Sequence, residues 1–179
     1  MDKTSKRKWY AQPDMLVGLS AVMVSVVALG VGVYSAYVDR AFARASVWPS
    51  LLVAQSFNSE RFRYVVLNQG TGPAIIEYAS VTKGDSVYKM WVDWLADEDF
   101  ADATFAQSHI GGGVVRAGQV VAAFETKEPE LMNYLSNGSE LSIEICYCSV
   151  FKDCWVVNGF DSQAEVEACS VESSERFAQ

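Results

Sequence analysis

His109 is the single histidine of this 179-residue chain, so any Ser-His-Asp or Cys-His chemistry would have to run through it. It stands just before Gly111-Gly112-Gly113, where a histidine reads as an exposed loop residue rather than a base held by neighbours. The glycine run joins no strand to a helix and lacks the Lys and Ser/Thr of a phosphate loop, so it reads as a hinge or bulge and not as a nucleotide site. Asp97, Glu98, Asp99 and Asp102 gather carboxylates of the kind hard cations prefer, but the glycine-containing loop of an EF-hand is missing. A solvated acidic loop is the better reading. The expectation is therefore no enzyme, no catalytic residue, no cofactor and no metal.

Four cysteines remain: Cys146, Cys148, Cys154 and Cys169. The stretch from Leu141 to Cys148 alternates, with Leu141, Ile143, Ile145 and Tyr147 on one face and Ser142, Glu144, Cys146 and Cys148 on the other. Both of its cysteines should thus point away from the core. Val150-Phe151-Lys152-Asp153 turns the chain, which sets Cys148 and Cys154 opposite each other within disulfide reach. Cys146 is then left for Cys169, while the other two pairings of four cysteines stay open. Cys-x-Cys on one strand face is poor geometry for tetrahedral zinc, so disulfides in an oxidising compartment are the expectation.

The elements that must position these residues are mostly strands. Ser50–Phe57, Phe62–Leu67, Ala74–Val81, Val87–Trp91, Val114–Phe124, Leu141–Val150 and Cys154–Val157 are β-rich runs, separated by turn sequences such as Asn68-Gln69-Gly70-Thr71-Gly72-Pro73, Lys83-Gly84-Asp85 and Asn137-Gly138. Seven strands so spaced predict an antiparallel sandwich. Met90, Trp91, Trp94 and Leu95 have helical spacing, as do Leu131, Met132 and Leu135 after Pro129, and predict two short helices capping a sheet end. Asn137-Gly138-Ser139 is a formal glycosylation sequon as well as a turn. The Ser- and Glu-rich tail, residues 161–179, is expected to be mobile apart from its cysteine.

Ahead of this domain, Met15 to Val38 is an uncharged apolar run of 24 residues, long enough to cross about 30 Å of hydrocarbon as a helix. A core helix of a soluble protein would be shorter and show a polar face. Lys3, Lys6, Arg7 and Lys8 precede the run and only Arg40 and Arg44 follow closely, which predicts a cytoplasmic N-terminus and an exported body. Ala43-Arg44-Ala45 resembles a signal-peptidase site but sits well past an apolar run too long for a typical signal. The organisation expected is a basic N-terminus over 1–14, a membrane helix over 15–38, a linker over 39–46, a sandwich over 47–160 and the tail.

Within the apolar run Gly18, Ala21, Ser25, Ala28, Gly32 and Ser35 follow at alternating steps of three and four, a heptad seam of small residues. Such a stripe lets a second helix approach closely in lipid, where burial of apolar area drives nothing. Self-association or another membrane subunit is the expected partner. The charge balance excludes a different class: net charge is −8 overall, and 10 basic against 20 acidic residues follow the run. Nucleic acid is an improbable partner for such a chain, and the body reads as held off an anionic membrane surface.

Trp48-Pro49 directly after a membrane helix, then Asn68-x-Gly70-x-Gly72-Pro73-Ala74, then Ile145-Cys146-Tyr147-Cys148-Ser149-Val150 with Cys154-Trp155, resembles a group of small bacterial membrane-anchored proteins. The resemblance implies an immunoglobulin-like extracytoplasmic domain in the inner membrane, facing the periplasm, with no catalytic residues to carry over. The function expected is a single-pass, membrane-anchored interaction module, an accessory or structural subunit of a larger membrane complex. The alternative is a tethered small-ligand sensor or carrier with Trp91, Trp94, Phe100 and Phe105 around a cleft.

Overall fold

A computed structural model of the chain describes residues 13–138, 140–159 and 163–178. The chain divides into two compact units, one ending at Ala45 and the other starting at Ser46. The first is a single helix, α1 (Pro13–Ser46), 34 residues long and about 51 Å at 1.5 Å per residue. Its most apolar window has mean hydropathy 2.4 and no residue of it is buried within this chain, so it is long and apolar enough to cross a membrane. Pro13 opens it with a pre-set φ, and Asp14 in the first turn and Arg44 in the last complement the helix dipole. The helix runs through residues 39–46, where a linker was expected. Asp39-Arg-Ala-Phe-Ala-Arg-Ala45 contains no glycine or proline and several strong helix formers, so nothing in it stops the spiral.

The second unit is a β-sandwich-like pair of antiparallel sheets. Its strands are β1 (Leu51–Phe57), β2 (Phe62–Asn68), β3 (Ala74–Lys83), β4 (Ser86–Tyr88), β5 (Phe105–Gln107), β6 (Gly113–Val115), β7 (Val120–Thr126), β8 (Leu141–Cys148), β9 (Cys154–Asn158) and β10 (Ala164–Val166). One sheet has the order β1-β2-β7-β5 and the other β10-β9-β8-β3-β4, with β6 pairing the opposite end of β3 from β4. Two short helices are present, α2 (Trp91–Asp97) and α3 (Pro129–Ser136), where helical spacing predicted them.

The strand count differs from the seven expected, for local reasons. Val87–Trp91 yields only β4 because Trp91 is the first residue of α2. Val114–Phe124 is two strands, broken where Gln119 N–H donates to Arg116 O at 3.0 Å and Gly118 takes a φ of 73° that a side chain would strain. β5 and β10 are three residues each, too short for alternation to reveal.

Aromatic side chains fill the space between the sheets. Tyr64 of β2 stacks on Trp91 of α2 at 6.3 Å, and Phe124 of β7 lies 5.2 Å from Trp91 and 5.7 Å from Trp94. Leu131 and Leu135 close the core from α3. Helices and sheet are tied where β3 ends: Glu98, just past α2, accepts hydrogen bonds from Lys83 Nζ and from the Tyr134 hydroxyl of α3.

The tail departs from the mobile segment expected of it. β10 pairs with β9, Cys169 is bonded, and Phe177 is buried among the core aromatics. The Ser/Glu composition that argues for disorder conceals these three anchors.

Candidate interaction surfaces

The seam residues Gly18, Ala21, Ser25, Ala28, Gly32 and Ser35 all lie on α1 and all are exposed. Among the described residues, a Cβ added at Gly18, Gly30 or Gly32 would meet nothing within 4 Å. The Ser25 hydroxyl donates to Ala21 O at 2.8 Å and is thereby satisfied within its own helix.

The four cysteines converge on β8. Cys148 and Cys154 face each other across the β8–β9 ladder with Cα atoms 4.0 Å apart and sulfurs at bonding distance, and Cys146 is bonded in the same way to Cys169. Neither β8 cysteine belongs to the apolar core cluster, which takes Leu141, Ile143, Ile145 and Tyr147 from the other face of the strand. Both are nonetheless buried, because the bridges and the returning tail cover that face. Cys148 Sγ is 3.8 Å from Cys169 Sγ, and the sulfurs of Cys148, Cys154 and Cys169 lie within 4.8 Å of one another. All are oxidised, so none offers a thiolate to a metal or to His109.

The groups weighed for catalysis are occupied or dispersed. His109 is exposed. In the acidic loop, Glu98 is tied to Lys83 and Tyr134, and Asp97 accepts from the Tyr88 hydroxyl at 2.6 Å. The hydrogen bond that Lys83 donates to Glu98 raises the Lys83 ammonium above its ordinary range, and the one that Tyr88 donates to Asp97 raises the Tyr88 phenol. These carboxylates hold the end of the sandwich together. Of the sequon, Asn137 caps α3 by donating from Nδ2 to Asn133 O at 2.8 Å, and Ser139 lies outside the described residues. Trp91 and Trp94 are fully buried core residues, while Phe100 and Phe105 pack against the core half-exposed. A groove of about 360 Å³ does run beside Phe105, walled by Thr104, Glu125, Lys127, Glu128 and Pro129.

The glycines have packing causes that sequence alone did not reveal. A Cβ on Gly70 would strike the backbone of Trp48 and Pro49, and one on Gly72 that of Val47, because residues 47–50 lie directly on the 68–73 loop. Asn68, fully buried, ties these segments: Nδ2 donates to Gly72 O (2.8 Å) and Val115 O (2.9 Å), while Oδ1 accepts from Ser50 N (3.2 Å) and Gly70 N (3.0 Å). Gly111 has no Cβ because the carbonyl of Phe177 sits where one would be. Within the run read as a hinge or bulge, Gly111 seats the tail and Gly113 takes a φ of 101°.

Compared with protein-family models, with curated proteins and with solved structures, the chain matches none.

Proposed function

We propose that the protein is a single-pass membrane-anchored interaction module, an accessory or structural subunit of a larger membrane assembly. The observation that supports this reading is α1: 34 apolar-rich residues without one buried, carrying a stripe of small residues at alternating steps of three and four. A helix in lipid gains from such a stripe only when a second helix packs on it.

The sandwich is read as immunoglobulin-like. The order β1-β2-β7-β5 corresponds to the A-B-E-D sheet of such domains, and β9-β8-β3 to G-F-C, with β4, β6 and β10 as additional strands. The inter-sheet disulfide of antibody domains is replaced here by two bridges on the outer side of β8. The basic N-terminus and the paired cysteines support a cytoplasmic start and a periplasmic domain in a bacterial inner membrane, as the resemblance noted above implies. Detergent extraction of the full chain, followed by mass measurement of the intact particle, tests the reading. A second copy or another subunit in fixed stoichiometry supports it; a monomer carrying a small molecule supports the alternative of a tethered sensor or carrier, whose one favourable observation is the groove beside Phe105.

A further inference from the structure

β1 is the longest strand at the edge of either sheet: it has seven residues, while the other edge strands β4, β5, β6 and β10 have three each. Its pairing with β2 is unbroken from Leu51↔Asn68 to Phe57↔Phe62. The phase of that ladder is fixed just beyond both ends, since Gln69 N–H donates to Ser50 O at 2.7 Å and Asn58 N–H to Arg61 O at 3.0 Å. Hydrogen-bonded pairs alternate along an antiparallel ladder, so Leu52, Ala54 and Ser56 turn their N–H and C=O groups to β2, and Leu51, Val53, Gln55 and Phe57 turn theirs to the open side. The Leu51 N–H agrees with this phase: it donates to the Tyr147 hydroxyl of β8 at 3.1 Å. Among the described residues, nothing bonds the backbone of Val53, Gln55 or Phe57 on that side.

Folded proteins blunt an open edge with charge, proline, a bulge or short length. The segment from Leu51 to Phe57 has no charged residue, no proline and no bulge. Among the described residues of the second unit, Phe57 at its end is also the most exposed large apolar side chain, at 64% of its full area. The free groups are self-complementary. A second copy of β1, laid antiparallel with Gln55 on a two-fold axis, sets Gln55 opposite Gln55 and Phe57 opposite Val53, and each such pair exchanges both of its backbone hydrogen bonds. This register opposes no charges, joins an aromatic to a β-branched residue at each end, and begins past the Leu51 N–H that Tyr147 already occupies. We propose that a second copy of this chain pairs with it through the open edge of β1, joining the two four-stranded sheets into one. The contact goes beyond the packing of α1 and does not rest on it.

Single added cysteines in the full chain, held in mild detergent with a gentle oxidant, test the register, because all four native cysteines are already bonded. Hydrogen-bonded antiparallel pairs have Cα atoms about 5.5 Å apart, within disulfide reach. Gln55→Cys should therefore give a disulfide-linked dimer on a non-reducing gel. Ala54→Cys and Ser56→Cys should each give none alone, since across the axis position 54 faces position 56. Co-expressed chains carrying Ala54→Cys and Ser56→Cys should link to each other, which provides a readout even where Gln55→Cys does not fold. Equal dimer from the three single variants, or dimer from Ala54→Cys alone, would overturn the pairing. No dimer from either Gln55→Cys or the co-expressed pair would also overturn it, and where α1 still recovers a partner in those chains the reading of α1 stands. A Gln55→Cys dimer in chains whose α1 recovers no partner supports the pairing and counts against that reading.

Discussion

Phe177 lies edge-on to Trp91, ring centroids 4.9 Å apart and planes 68° from parallel, although eighty-six positions of chain separate them. Its N–H donates to Ala79 O and that of Ala178 to Lys89 O, each at 2.8 Å, so the tail is hydrogen-bonded as well as packed. Phe177→Ala should therefore cost about 3–5 kcal/mol, the range for removing a buried aromatic. It should also open the segment after Cys169 to protease. Denaturant unfolding of the full chain in detergent reads the first effect and limited proteolysis the second. Gly111→Ala should produce the same proteolytic sensitivity, since the added methyl displaces the Phe177 carbonyl.

Asn68 makes the second prediction, through the sense of its hydrogen bonds. Its Nδ2 donates to two carbonyls, a role Ala leaves empty and Asp reverses. Asn68→Ala should cost about 3 kcal/mol and Asn68→Asp more at neutral pH, because a buried carboxylate would face two carbonyl oxygens. That carboxyl would have a higher pKa folded than unfolded, so its stability deficit should shrink as the pH falls toward the ordinary carboxylate range near about 4. Unfolding midpoints of both variants across that range check the sign. An Asp variant that weakens further on acidification contradicts the assignment of the Asn68 amide.

The strands with five or more residues were legible in sequence because alternation and turn chemistry repeat over that length; β8 is the clearest, its two faces separating core residues from cysteines. β5 and β10 offered three residues and no periodicity. Phe177 was illegible for a different reason: one aromatic in a polar tail has no pattern, and its partner Trp91 is remote in sequence. Gly111 likewise declares a close approach only once the approaching carbonyl is known. The groups weighed for chemistry were visible, but their engagement was not, since the ties of Glu98 to Lys83 and Tyr134 join three elements that only tertiary structure brings together.

The two bridges should contribute unequally. In the chain-entropy account, the 23-residue separation of Cys146–Cys169 is worth about 3.4 kcal/mol and the six-residue separation of Cys148–Cys154 about 2.4 kcal/mol. Paired serine substitutions should show that order in denaturant unfolding. A sharper test uses Cys154→Ser alone. The freed Cys148 thiolate, 3.8 Å from Cys169 Sγ, can attack that sulfur, form Cys148–Cys169 and release Cys146 as a thiolate. Non-reducing peptide mapping should then find both Cys146–Cys169 and Cys148–Cys169 peptides, and their exclusive retention in the first form would contradict the proximity.

Alkaline pH should loosen the sandwich. Burial first, and then the hydrogen bond to Glu144 with the charges of Glu144 and Glu175, push the Tyr78 phenol up to about 12. The phenols of Tyr88, Tyr134 and Tyr147 are raised as well. A group whose folded pKa exceeds its unfolded value holds its proton more tightly when folded, so its contribution is complete below about pH 10 and is lost as the pH climbs toward 12. Thermal midpoints should fall through that window together with the rise of tyrosinate absorbance, and Tyr78→Phe should reduce the slope. A midpoint that stays flat across it contradicts the burial of Tyr78 and its hydrogen bond to Glu144.

If α1 packs on a partner through its small-residue stripe, as proposed, enlarging residues on the stripe and off it should have different effects. Ala28→Leu and Gly32→Leu enlarge the middle of the stripe, and Gly30→Leu places the same side chain off it. Among the described residues nothing lies within 4 Å of a Cβ at either glycine site, so a difference between their variants points to contact with a partner. Leu also favours the bilayer centre, so insertion should survive in all three. Cross-linking of the full chain in membranes, read by the mass of the product, should lose its partner in Ala28→Leu and Gly32→Leu and keep it in Gly30→Leu. Equal recovery from all three variants would contradict the account.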